Sequence, residues 1–325
     1  MKKVLLLTGV LLIILIVIFL LGPREIVDDS IKPIILPDDI DQYLASRESQ
    51  VQDLVQGTEK KIIWAHLDKQ TTEYALLYLH GFSASRQEVS PLCEEIADEI
   101  SANLFLTRLK AHGRDSEAFL EAKPQDWFQD AYEAWEISRK IGKKIIIIGT
   151  SFSANLTSWL CTNYGNIAAI IIISPYFESI NRAASTLLTL PWDKQISRLL
   201  LGKYHSFEPH SELEEKYWTT RYRIEALPKL FATVKFCKKL DYTRINIPVF
   251  FIYTEKDDVI NVNCVKQIYD KWGSRTKNIT KKILNYKESD EHVLVGSIIS
   301  PQHVEPIRLE ILNFLNETVF MDNKQ

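Results

Sequence analysis

Short apolar segments recur along this chain with little polar alternation: Tyr74–Leu79, Leu104–Thr107, Ile145–Ile148, Ile167–Ile173 and Asn246–Tyr253. A strand with one wet face alternates polar and apolar residues. Runs without alternation fit strands covered on both faces, as in the middle of a parallel sheet. Two weaker segments, Ile62–Ala65 and Lys281–Tyr286, complete the predicted strands. Between them the spacing turns helical. Asp39–Val55 places apolar residues at helical intervals and ends at Gly57. Pro124 and Asp126 start an amphipathic helix, Gln125–Ile141, that Gly142 stops. Ala154–Tyr164 is closed by Gly165, another helix leads to Trp272, and a last one covers about Val304 to Phe320. Strand alternating with helix predicts an α/β protein with a mostly parallel, doubly wound sheet.

The alternation breaks between Tyr176 and Thr243. This stretch is rich in aromatics and prolines, mostly helical in propensity, and has no run that reads as a buried strand. An insertion there would lie over the carboxyl edge of the sheet, so a helical cap that walls a substrate site is expected. At the other end, Val4–Leu21 carries no charge, and about 18 such residues just suffice to cross a bilayer as a helix. Lys2 and Lys3 precede the span and Asp28-Asp29 follow it. That bias predicts an uncleaved anchor with the bulk of the chain outside the cytoplasm, periplasmic or extracellular. A signal peptide removed on export is the alternative. Ile26–Asp38, with Pro33 and Pro37, reads as an extended linker. The expected organisation is an anchor or signal over 1–22, a linker over 23–38, and one domain over 39–322 with a cap insertion at about 176–243.

Charge and cysteines narrow the picture. A net charge of −3 without a basic cluster argues against nucleic acid as a partner. Cys93, Cys161, Cys237 and Cys264 lack metal-ligand or CxxC spacing; buried free thiols are expected, with a disulfide left open. No metal or cofactor is implied.

Candidate chemistry lies where predicted strands end. Ile145–Ile148 runs into Gly149-Thr150-Ser151-Phe152-Ser153 and then a helix. Strand, sharp turn with a serine at its tip, helix is the context of a nucleophile elbow. Positions two before and two after the serine must be small because strand and helix pass closely there. Gly149 meets that demand, whereas Ser153 stands where a second glycine is usual. The loop after Tyr74–Leu79 would lie beside the serine, so the backbone N–H groups of Phe82 and Phe152 are candidate oxyanion donors. His80, at a strand end before a glycine, reads as a loop brace. Nucleophilic catalysis also needs a base and a carboxylate that orients it. Asp257 and His292, after the two last strands, supply both in the order Ser151, Asp257, His292. Asp258 and His303 are the competing acid and base, and Asp290 and Glu291 are expected to face solvent.

These segments resemble the α/β-hydrolase superfamily, in its carboxylesterase and monoacylglycerol-lipase-like group, including membrane-anchored bacterial members. The carriers are LYLHGFSASRQE at 77–88, AHGR at 111–114, GTSFSANL at 149–156, YWTTRYRIEAL at 217–227, EKDDVI at 255–260 and HVLVGSIISP at 292–301. The resemblance implies an α/β-hydrolase fold with a helical cap. It also implies a triad of Ser151, Asp257 and His292, with Asp257 favoured over Asp258, and a carboxylic ester of small or medium size as substrate. Ala111 and Ser153 depart from its pattern, each replacing a frequent glycine. The functional alternatives are a non-catalytic, membrane-tethered binding protein of the same fold, and an acyltransferase or thioesterase.

Overall fold

Ile145–Ile148 lie at the centre of the protein. All four are fully buried, and they alternate between two cores, Ile145 and Ile147 on one side and Ile146 and Ile148 on the other. The computed structural model describes residues 2–276, 279–289 and 291–320. Its strands are β1 (Lys61–Ile63), β2 (Thr72–Leu79), β3 (Asn103–Leu106), β4 (Gly142–Thr150), β5 (Ile167–Ile173), β6 (Tyr204–Ser206), β7 (Arg221–Arg223), β8 (Val249–Tyr253) and β9 (Lys281–Asn285). Seven form one sheet in the order β1-β3-β2-β4-β5-β8-β9. Every pairing in it is parallel except the edge pair, β1 with β3.

The helices are α1 (Lys2–Leu20), α2 (Ile40–Glu48), α3 (Leu92–Glu99), α4 (Pro124–Ile141), α5 (Ser153–Asn163), α6 (Arg182–Leu187), α7 (Asp193–Leu201), α8 (Glu212–Tyr217), α9 (Ala226–Cys237), α10 (Val262–Lys271) and α11 (Val304–Leu315). Helices α4, α5, α9 and α10 share a core with one face of the sheet, and α3 and α11 with the other. Burial on both faces is why the strands lack alternation, and it sets the strand ends of β2, β4, β8 and β9 along one edge.

Two expectations need correction. The helix expected over Asp39–Val55 stops at Glu48. Beyond it the Val55 N–H donates to the Gly113 carbonyl (2.9 Å), so a tertiary partner takes the backbone from the helix. The cap region is not purely helical, because β6 and β7 pair antiparallel within it. At three residues each, and with the adjacent Tyr222 and Arg223 both buried, they are too short to leave a period-two signal. The expectation of free thiols is met, since all four cysteines are free and Cys93, Cys237 and Cys264 are buried. The last part of the inserted stretch, α9, packs on α5 and α4 and acts as the crossover helix from β5 to β8.

The stretch before α2 is extended and lies along the domain. Val27, Ile31, Ile34 and Leu36 pack against the core. Lys32 exchanges backbone hydrogen bonds with the Gln129 side chain (2.9 and 3.0 Å), and the Trp159 indole donates to Asp29 (2.9 Å).

Candidate active site

Strand β4 ends at Thr150 and α5 begins at Ser153, leaving Ser151 and Phe152 to reverse the chain. The reversal puts Ser151 at φ 50°, a left-handed conformation that costs a side-chain-bearing residue about 1–3 kcal/mol. Neighbours hold it there. The Ser151 N–H donates to Ile173 O (2.9 Å), and Ser151 O accepts from the Tyr176 N–H (3.1 Å). Asn155 Nδ2 donates to the Phe152 and Tyr176 carbonyls (2.9 and 2.8 Å). A Cβ on Gly149 would meet Thr157 Oγ1 at 2.5 Å and Ser153 O at 3.2 Å, which explains the glycine. Ser153 is fully buried, and its hydroxyl donates to the His80 carbonyl, so the extra atoms join strand end and helix start. Ala111, the other departure, has φ 75°, a conformation that glycine adopts without strain.

His292 follows β9. Its Nε2 lies 2.8 Å from Ser151 Oγ, and its Nδ1 lies 2.8 Å from Asp257 Oδ2. With the proton on Nδ1, the ring donates to the carboxylate and accepts from the serine hydroxyl. Asp257 is fixed in turn, its Oδ1 accepting the N–H groups of Val259 (2.9 Å) and Ile260 (3.2 Å). Burial pushes the His292 imidazole down, but the bond to Asp257 and its charge, with Glu88 adding, outweigh burial and hold it above its ordinary 6.5.

The competing residues lie elsewhere. Asp258 is exposed and lines the cavity next to the triad. His303 is buried on the far side of its loop, where Nδ1–H donates to the Leu294 carbonyl (3.0 Å) and the ring meets Tyr286 edge-on. Glu291 is exposed, and Asp290 lies outside the described residues. His80 braces its loop: Nδ1–H donates to Gly81 O (2.9 Å), and Nε2 accepts the Leu109 N–H (3.1 Å). Burial pushes that imidazole down to about 4, so it stays neutral.

Phe82 and Phe152 line the cavity with Ser151. Their amide N–H groups have no acceptor among the described residues. The Phe82 loop is held by a residue that hydrophobic patterning passes over. Glu88, 3% exposed, accepts from the Gly81 N–H and the Tyr78 hydroxyl, both at 2.7 Å on Oε2. Burial pushes this carboxyl up, partly countered by those two bonds. A second overlooked residue is Ser174, whose hydroxyl donates to the backbone carbonyl of His292 (2.6 Å) and so positions the ring. The first follows the polar residues Ser85, Arg86 and Gln87 and so reads as a surface charge. The second leaves no signal beyond its place at a strand end.

The cavity over Ser151 has a volume of about 890 Å³. Tyr176, Phe207, Trp218, Tyr222, Leu227, Leu230 and Phe231 line it from the cap and α9, and Asp258, Glu291 and Lys256 from the loops after β8 and β9. Among the described residues no group of His, Cys, Asp or Glu is arranged to hold a metal ion.

Several solved structures share this architecture. A chain from a pair of metagenome-derived lipolytic enzymes, LipS and LipT, matches 81% of this chain and 99% of its own length, with a TM-score of 0.66 at 18% identity. A monoacylglycerol lipase from Paleococcus ferrophilus matches 80% of this chain and 98% of its own, with a TM-score of 0.57 at 13% identity. A soluble variant of monoglyceride lipase from Saccharomyces cerevisiae, in complex with a substrate analogue, matches 80% and 91%, with a TM-score of 0.58 at 9% identity. Residues 70–282, more than half of the chain, match the family model described as serine aminopeptidase, S33. With the mostly parallel sheet and the elbow at the end of β4, that match places the chain in the serine aminopeptidase S33 family of α/β hydrolases.

Proposed function

We propose that this chain is a serine hydrolase of carboxylic esters that works through an acyl-enzyme. The observation that carries the proposal is the hydrogen-bonded series Ser151–His292–Asp257 at the floor of a cavity walled largely by aromatic and leucine side chains. Ser151 Oγ attacks the ester carbonyl as its proton passes to His292 Nε2, and Asp257 stabilises the imidazolium. The carbonyl oxygen, now negative, takes hydrogen bonds from the Phe82 and Phe152 amides. Collapse of the tetrahedral intermediate breaks the C–O bond, and the alcohol leaves with the proton held by His292. Water then repeats the sequence on the acyl-enzyme, releasing the acid and restoring Ser151.

Cavity volume and lining suit an acyl ester of small or medium size, in keeping with the lipolytic and monoglyceride-lipase neighbours. Ser153, the departure in the elbow that would favour a non-catalytic binding protein, has an acceptor for its hydroxyl in the His80 carbonyl, which supports the catalytic reading. Transfer to an alcohol in place of water gives a different product, so product analysis with and without added alcohol separates the two. Helix α1 is uncharged from Val4 onward with no residue buried, which supports a membrane anchor, and Lys2 and Lys3 ahead of that run favour an N-in orientation that holds the domain outside the cytoplasm. The test is turnover of p-nitrophenyl butyrate. Ser151→Ala should lower it by roughly 10³-fold or more while the fold is kept, and near-wild-type turnover would overturn the proposal.

A further inference from the structure

The last turn of helix α7 carries apolar side chains that are left exposed. Asp193 and Ser197 point inward, at 2% and 0% exposure, whereas Leu199, Leu200 and Leu201 are 84%, 58% and 51% exposed. Consecutive residues fan around a helix, so these three leucines make an apolar tip at the carboxyl end of α7, the kind of exposed surface that marks a contact with a protein or a membrane.

Where α7 sits decides between those partners. The chain leaves α1 and runs directly onto the amino-terminal end of α7. Gly22 packs so closely on the Trp192 indole that a Cβ there would meet it at 2.0 Å. The Trp192 N–H donates to the Pro23 carbonyl, the Glu25 N–H donates to the Asp193 carboxylate, and Lys194 pairs with Glu25 at 2.9 Å. Helix α1 is 19 residues long, strongly apolar and 0% buried. A bilayer that contains α1 therefore ends within a residue or two of the place where the chain is fastened to α7. At 1.5 Å rise per residue, the leucines lie roughly 9–12 Å along the helix from Asp193. Interfacial contacts bury apolar side chains by about 5–10 Å, so a leucine tip no more than roughly 12 Å from the point of attachment is within reach of the same lipid surface.

We infer that Leu199–Leu201 is a second membrane contact, seated on the surface of the bilayer that α1 enters. This inference rests on the anchor reading of α1. A three-leucine patch alone binds lipid weakly. Tethered beside a span, its docking becomes intramolecular, with a high effective concentration of lipid surface. Two fixed attachments in place of one flexible tether set the tilt of the domain and turn the cap towards the membrane, where amphiphilic esters partition.

The test uses the full chain carrying Leu200→Cys, labelled with an environment-sensitive nitrobenzoxadiazole and reconstituted in phosphatidylcholine–phosphatidylglycerol vesicles. Labelled wild-type chain serves as the blank for Cys161, the native cysteine that is not fully buried. Leu309→Cys is the control, since Leu309 is 47% exposed on α11, across the sheet from the α9 side on which α7 packs. The expected result is blue-shifted emission at position 200, quenched by doxyl-labelled lipid, and aqueous emission at position 309. Aqueous emission at both, in vesicles that keep the protein through a carbonate wash, overturns the second contact and leaves the anchor standing. A blue shift that doxyl lipid does not quench means a second copy covers the patch, and also overturns it. Loss of the protein in the wash overturns the anchor and the patch together, while ester turnover still reports separately on the hydrolase.

Discussion

Glu88→Ala tests how the loop after β2 presents its amides. In the native protein one carboxylate oxygen takes the Gly81 N–H and the Tyr78 hydroxyl, both at 2.7 Å, in a place that is 3% exposed. Alanine leaves two buried donors without that acceptor, at about 1–3 kcal/mol each, though Tyr78 keeps its 3.2 Å contact with Thr150. A stability loss of about 2–4 kcal/mol follows. Gly81 is covalently joined to Phe82, the proposed oxyanion donor. Deleting such a donor costs about 10²–10³ in kcat, so loosening one should cost roughly 10–100-fold. The loss should appear in kcat with KM nearly unchanged, because the donor acts on charge that develops in the transition state. Glu88→Gln separates shape from charge. Its amide oxygen can accept both bonds, so kcat should stay within a few-fold of wild type. The charge on Glu88 helps to hold the His292 imidazole above 6.5. The base must be neutral to act, so the acid limb of wild-type kcat/KM should lie above pH 6.5. Removing the Glu88 charge lowers the imidazole and shifts that limb to lower pH. Steady-state kinetics across pH, with circular dichroism to verify folding, make the measurement. A folded Glu88→Ala enzyme with wild-type kcat, or an acid limb that moves to higher pH in Glu88→Gln, would refute the reasoning.

Other substitutions discriminate neighbouring residues. His292→Ala should abolish labelling by a fluorophosphonate, while His303→Ala should retain it and lose stability by about 1–3 kcal/mol as the Leu294 carbonyl loses its donor. Asp257→Asn should lower kcat by roughly 10³–10⁴-fold by disturbing the tautomer of His292, whereas Asp258→Asn should change it only slightly; equal losses would remove the distinction drawn from the 2.8 Å contact. Ser153→Ala should destabilise the protein by about 1 kcal/mol through loss of the bond to the His80 carbonyl, with activity kept within a few-fold. A large activity loss there would mean that the hydroxyl shapes the elbow itself.

The sheet was legible because burial on both faces removes polar alternation, so Ile145–Ile148 and Ile167–Ile173 announce central strands without any knowledge of their partners. The order of Ser151, Asp257 and His292 was legible for a related reason: each follows a recognisable strand, and parallel strands bring their carboxyl ends to one edge. Features set by tertiary partners were not. Strands β6 and β7 are three residues each, too short for a periodicity to mark them. The end of α2 depends on the Gly113 carbonyl, far away in sequence, that receives the Val55 N–H. Pro33 and Pro37 suggest extended backbone but carry no trace of the packing of Val27, Ile31 and Ile34 on the core. Glu88 reads as a surface charge until Gly81 and Tyr78 are seen to converge on it.

The central claim is that Ser151 is the activated nucleophile of this protein. Labelling with a fluorophosphonate, followed by mass spectrometry of the digested protein, tests it most directly. The account predicts a single phosphonylated peptide containing Ser151, formed at wild-type rate in Ser153→Ala and absent in Ser151→Ala and His292→Ala. An unlabelled folded protein, or a label on any other residue, would contradict it.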